Sequence, residues 1–118
     1  MADNQTFNKL KKLLKHYEAN LTLLHDKDDN YYLNTPISDK NKKAEFFGAV
    51  QIKKSYVAFH LMPVYYYPNL LDNISQDLKD RMQGKSCFNF KEIDDKHFKE
   101  LATLTKKSFE LYKSKEKI

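Results

Sequence analysis

The chain has no tryptophan, one cysteine, two glycines and three prolines among its 118 residues. A lone cysteine, Cys87, can make no internal disulfide and cannot build a cysteine-based zinc site. So little glycine and proline argues against a turn-rich sandwich or a low-complexity tail. No apolar run approaches the roughly 18 residues that a membrane-crossing helix needs. The longest, Val57 to Tyr67, is interrupted by His60 and Pro63. Met1 to Gln5 carry neither the basic nor the apolar region of a secretion signal. A soluble, cytoplasmic protein with no membrane contact is expected. Asn20-Leu21-Thr22 and Asn73-Ile74-Ser75 then match the glycosylation sequon by chance.

Arginine is almost absent as well. Arg81 is the one arginine among 21 basic residues, which exceed 16 acidic ones to give a formal charge of +5. Lysine is a point charge, whereas arginine makes the bidentate contacts of base and phosphate recognition. The lysine excess therefore reads as a solvated surface and counts against nucleic acid as a partner.

Aromatics are abundant: eight Tyr and eight Phe in a chain that is 41% hydrophobic. Residues 1–118 are expected to form one domain with one core. Phe7, Leu10, Leu13, Leu14 and Tyr17 recur at helical spacing, with Lys9, Lys11, Lys12 and Lys15 between them. Asn4 or Thr6 is the expected cap. Leu21–His25 and Tyr31–Asn34 read as short strands about a polar turn, Asp26 to Asn30. Thr35 to Lys43 reads as a polar loop, the most mobile internal segment expected.

Glu45–Lys53 and Tyr56–Met62 read as central strands, apolar on both faces. Alternation puts Phe46, Gly48, Val50 and Ile52 on one face of the first, and Phe47, Ala49 and Gln51 on the other. Gly48 would admit a close neighbour. In the second, Val57, Phe59 and Leu61 oppose Tyr56, Ala58, His60 and Met62. Pro63 and Pro68 should bracket an exit loop. Ser75 should cap a helix holding Leu78 and Met82 and ended by Gly84. Cys87–Phe90 reads as a short strand. Asp94 caps the last helix, with Ile93 and Phe98 as a hydrophobic staple and Phe98, Leu101, Ala102, Thr105, Phe109 and Tyr112 as its buried stripe. His97 should be solvated, and Lys113–Ile118 should fray. The order α-β-β-β-β-α-β-α predicts an α+β fold: an antiparallel sheet of about five strands with helices packed on it.

Three blocks carry a family resemblance: Phe46-Phe47-Gly48-Ala49-Val50, Ser55-Tyr56-Val57-Ala58-Phe59-His60-Leu61-Met62-Pro63, and Arg81-Met82-Gln83-Gly84-Lys85-Ser86-Cys87-Phe88-Asn89-Phe90. From Phe46 to Tyr112 the chain resembles the YdhG-like family of small bacterial α+β domains of unassigned activity. One branch is described as frataxin-like iron chaperones for iron–sulfur and haem assembly. The resemblance thus implies ferrous iron as a possible cargo. It departs on the first helix, where the acidic ridge of frataxins proper gives way to Lys9, Lys11, Lys12 and Lys15.

No reaction is spelled out by the residues. Asp26, Asp28 and Asn30 match the opening of a calcium loop, but Tyr31 and Ile37 stand where Gly and Glu belong, so a plain hairpin turn is favoured. Gly84-Lys85-Ser86 resembles the end of a phosphate loop, but Lys79 replaces the first Gly and the segment follows a helix. His16, His25, His60 and His97 form no i, i+4 pair. Cys87 has no base fixed beside it by local sequence. The tyrosines, which bury a ring but keep a hydroxyl to be paired or wet, suggest an aromatic groove. Tyr31, Tyr56, His60, Met62, Tyr65, Tyr67 and Lys85 are its expected lining, for a small molecule or a protein partner. The expectation is a non-enzymatic binding domain without a cofactor, monomeric or a weak homodimer. One alternative is iron delivery, with His25, Asp26, Asp28, Asp29 and His60 as ligands; another is weak single-stranded nucleic-acid binding through the lysine faces and tyrosine stacking.

Overall fold

The computed structural model describes residues 4–39 and 42–118. Its elements follow the expected order. Helix α1 (Asn4–Lys15) leads to strands β1 (Thr22–Lys27), β2 (Asn30–Asn34), β3 (Phe46–Ile52) and β4 (Val57–Leu61). Short helices α2 (Met62–Tyr66) and α3 (Gln76–Lys79), strand β5 (Cys87–Phe90) and helix α4 (Asp95–Ser114) complete the chain. The five strands form one antiparallel sheet in sequential order, β1-β2-β3-β4-β5. This is the α+β meander that the alternating patterns imply. No described helix is long and apolar enough to cross a membrane.

Helices cover one face of the sheet. Phe7, Leu10, Leu13 and Leu14 of α1 and Leu101, Leu104, Phe109 and Tyr112 of α4 bury against Tyr31, Leu33, Val50, Val57, Phe59, Leu61, Phe88 and Phe90. Strand pairing puts these sheet residues on a common side, because directly paired residues share a face. Gly48 admits Leu14 of α1: a Cβ there would lie 3.2 Å from Leu14 Cδ2 and 2.9 Å from the His60 carbonyl oxygen. Two buried hydroxyls of α4 are paired within the helix itself. Thr105 and Ser108 donate to the carbonyls of Leu101 and Leu104, one turn back. Thr6 lies inside α1 rather than capping it, and its hydroxyl accepts from the Ile93 N–H at 3.2 Å. That bond ties the two ends of the helical layer together.

Several local expectations are corrected. The β1–β2 turn needs only Asp28 and Asp29, since Asp26 and Lys27 belong to β1. Val64 to Tyr67 is not an open loop. Pro63 sits in the first turn of α2, where its missing N–H costs nothing, and Pro68 opens a 3-10 turn. Ser75 does cap α3, accepting from Leu78 N–H, but the helix is one turn long and Met82 bridges Phe88 instead. Gly84 has the expected positive φ (80°), yet it turns a small hairpin, with Gln83 N–H bonded to Cys87 and Asn89 N–H to Arg81. Asp94 caps α4 through His97 N–H at 2.7 Å.

His97 itself is buried, its ring against Phe90. The segment after α4 folds back: Lys117 N–H reaches the Tyr112 carbonyl, Glu116 N–H reaches Lys113, and Glu116 has φ 62°. This is a Schellman motif with glutamate in the left-handed position. Lys40 and Asn41, in the expected polar loop, lie outside the described residues.

Candidate functional site

Among the described residues no helix lies on the second face of the sheet, and a single line of side chains crosses it. Backbone pairing aligns His25 with Tyr32, Tyr32 with Ala49, Ala49 with His60 and His60 with Cys87, one residue from each strand. Phe46 joins this line through an irregularity. Leu33 pairs with Gly48, but Asn34 pairs with Phe46, so Phe47 is an extra residue in β3. The bulge reverses the alternation read from sequence. Phe47 turns inward against Phe109 and Tyr112, while Phe46 turns outward.

On the outer face Phe46 stacks on Tyr32, with ring centroids 4.6 Å apart, and meets His60 edge-on at 6.3 Å. His25 meets the other side of Tyr32 at 5.7 Å. Ala49, paired between Tyr32 and His60 in the row, is fully buried. Ala58, the other small residue of the floor, is also buried. Amides flank the rings: Gln51 donates to Asn30 and Asn89 donates to Gln83.

The row ends at Cys87. Its sulfur lies 4.0 Å from His60 Nε2 and donates to Asn89 Oδ1 at 3.2 Å. Burial pushes the Cys87 thiol up, and the charge of Lys53 opposes this only in part. Burial also holds the His60 imidazole below the ordinary 6.5, and Lys53 adds to that effect. Both groups are therefore driven toward their neutral forms, the reverse of a thiolate–imidazolium pair.

The expected groove does not assemble as one unit. His60 is on the open face. Tyr31 is on the helical side, fully buried, its hydroxyl donating to Glu18 at 2.6 Å and its phenol pushed well up by burial and that carboxylate. Tyr67 packs against Tyr112 on the helical side. Tyr65 and Lys85 meet elsewhere, with the ammonium 5.8 Å from the ring, in a cleft of about 470 Å³ also lined by Val64, Pro68, Leu71 and Gly84. Tyr56 and Met62 are half-buried just beyond the two ends of β4.

The residues suggested for iron are also dispersed. His25 and His60 share a face but stand three strand spacings apart, about 14 Å. Asp26 pairs with Tyr31 and so faces the helical side, where Lys11 holds it at 2.7 Å. Among the described residues no group of three or more His, Cys, Asp or Glu is arranged to hold a metal ion. Sequence reasoning missed Tyr32 and Phe46. Nothing local announces the bulge that exposes Phe46.

Comparison of the chain with known protein families, with curated proteins and with solved structures gives no match.

Proposed function

We propose that this chain is a non-enzymatic binding domain whose helix-free sheet face takes an apolar peptide segment or a small apolar molecule. One observation carries the reading: the row His25, Tyr32, Phe46, His60 and Cys87 spans all five strands with no helix over it. Aromatic side chains give large contact area at low entropic cost, and the flanking amides can pair with a backbone. The neutral tendencies of His60 and Cys87 fit binding better than nucleophilic catalysis. Base stacking fits less well. Tyr32 and Phe46 already stack on each other, so the faces they share are closed to a nucleobase.

The reading is tested by amide NMR of the labelled protein against a library of small aromatic fragments and short apolar peptides. Shifts are expected at Tyr32, Ala49, His60 and Cys87, and their loss in Phe46→Ala. Hits that perturb only the α1–α4 side or the Tyr65–Lys85 cleft would remove the open face as the site.

A further inference from the structure

On the helical side, away from that row, one lysine is held in an arrangement that resembles a ligand in its receptor. The Schellman motif after α4 throws Lys117 back over the sheet end. Its ammonium then lies 5.2 Å from the centre of the Tyr112 ring and 5.4 Å from that of Tyr66. Glu45 Oε2 lies at 3.3 Å from the same ammonium. Two ring faces and a carboxylate around one ammonium are what recognition of an alkylammonium requires: quadrupole attraction from the rings and a counter-charge at contact distance.

The backbone that carries each of the three receptor groups is anchored by contacts other than the lysine. Glu45 is fixed through its backbone, which exchanges bonds with Thr35 just before β3. Tyr66 ends α2, and Tyr112 is a core residue of α4 wedged against Phe47. The Tyr112 hydroxyl is buried without a hydrogen-bond partner, so its ring face is what it offers. Tyr66 is more than half exposed and Glu45 is partly so, which leaves the site at the surface. A neighbouring lysine, Lys115, lies over Tyr67 at 5.8 Å, extending the same chemistry along the segment.

We propose that Glu45, Tyr66 and Tyr112 form a binding site for a primary or methylated alkylammonium group, such as a lysine side chain on a partner peptide, and that Lys117 is its built-in occupant. A tethered group competes at an effective concentration on the order of millimolar. An external ammonium therefore binds well only after Lys117 has moved out.

The test is a titration of the labelled full chain with n-butylammonium chloride at constant ionic strength, followed by NMR. In Lys117→Ala, saturable shifts are expected at Glu45, Tyr66 and Tyr112. The wild type should bind about tenfold more weakly, because its own lysine competes. Adding Glu45→Gln to the variant should weaken binding again by about tenfold. Lys117→Gln, which keeps most of the aliphatic stem, replaces Lys117→Ala should the latter unfold. A folded Lys117 variant without saturable shifts would overturn the proposal. So would equal affinity in wild type and variant, or shifts indifferent to Glu45→Gln.

Discussion

The two faces of this sheet are made by the same strands and obey different rules. The inner face is filled: Tyr31, Leu33, Val50, Phe59, Leu61 and Phe88 are fully buried under α1 and α4. The outer face carries Tyr32, Phe46, His60 and Cys87, each half-buried by its neighbours. Inside, volume decides which residue is tolerated. Outside, the rings support one another laterally and keep a surface for something else. Adjacent residues make the contrast plain. Tyr31 disappears under α1 with its hydroxyl on Glu18, while Tyr32 stands in the outer row.

The largest expected difference comes from truncating one phenylalanine on each side. Phe59→Ala should cost about 3 to 5 kcal/mol in urea unfolding, as a core cavity does. Phe46→Ala should cost about 1 kcal/mol, since its ring is half exposed. Equal losses would mean that the outer row is structural.

Gly48→Ala probes the boundary between the layers. Its Cβ would press on the His60 carbonyl and on Leu14, so a loss of about 1 to 3 kcal/mol is expected by the same measurement. An unchanged midpoint would show that α1 does not rest on the sheet there.

The acid side sharpens the comparison further. Burial lowers the proton affinity of folded His60, so the unfolded chain binds a proton that the fold refuses. Its contribution is intact above about pH 6.5 and is lost as pH falls through and below that value. In urea melts across pH 5 to 7, roughly the range where histidine titrates, His60→Gln should be less acid-sensitive than the wild type. Identical profiles would place His60 in contact with water.

The smallest effect lies at the end of α4. Glu116→Gly relieves a left-handed conformation at φ 62° and should raise stability by about 0.5 to 1 kcal/mol. A loss instead would show that the glutamate side chain matters more than its backbone.

Much of the fold was legible because it rests on periodicity. Phe7, Leu10, Leu13 and Leu14 of the α1 stripe, the alternation of β4 and the caps at Ser75 and Asp94 appear as read, while the buried stripe of α4 also takes in Leu104 and Ser108 and leaves Phe98 and Ala102 partly exposed. The site was less so, for identifiable reasons. Alternation assigns Tyr31 and Tyr32 to opposite faces but cannot say which face the helices take. The bulge at Phe47 shifts the phase of β3 by one residue, and one residue moves a side chain to the other face. His97 looked solvated as a polar residue in a first turn, yet Phe90 and the α4 packing enclose it. The carboxylates near β1 cluster in sequence, and Asp26 and Asp28 line one cavity, but Asp26 is in the strand and answers to Lys11, and no third ligand joins them among the described residues.

The central claim is that the helix-free face is an accessible apolar binding surface. The nitroxide TEMPOL, a small amphiphile that collects on such surfaces, tests it in one NMR experiment. Signals of Tyr32, Phe46, His60 and Cys87 should be attenuated most strongly, with Phe59 and Phe88 spared. Attenuation centred on the helical side, with the row untouched, would contradict the account.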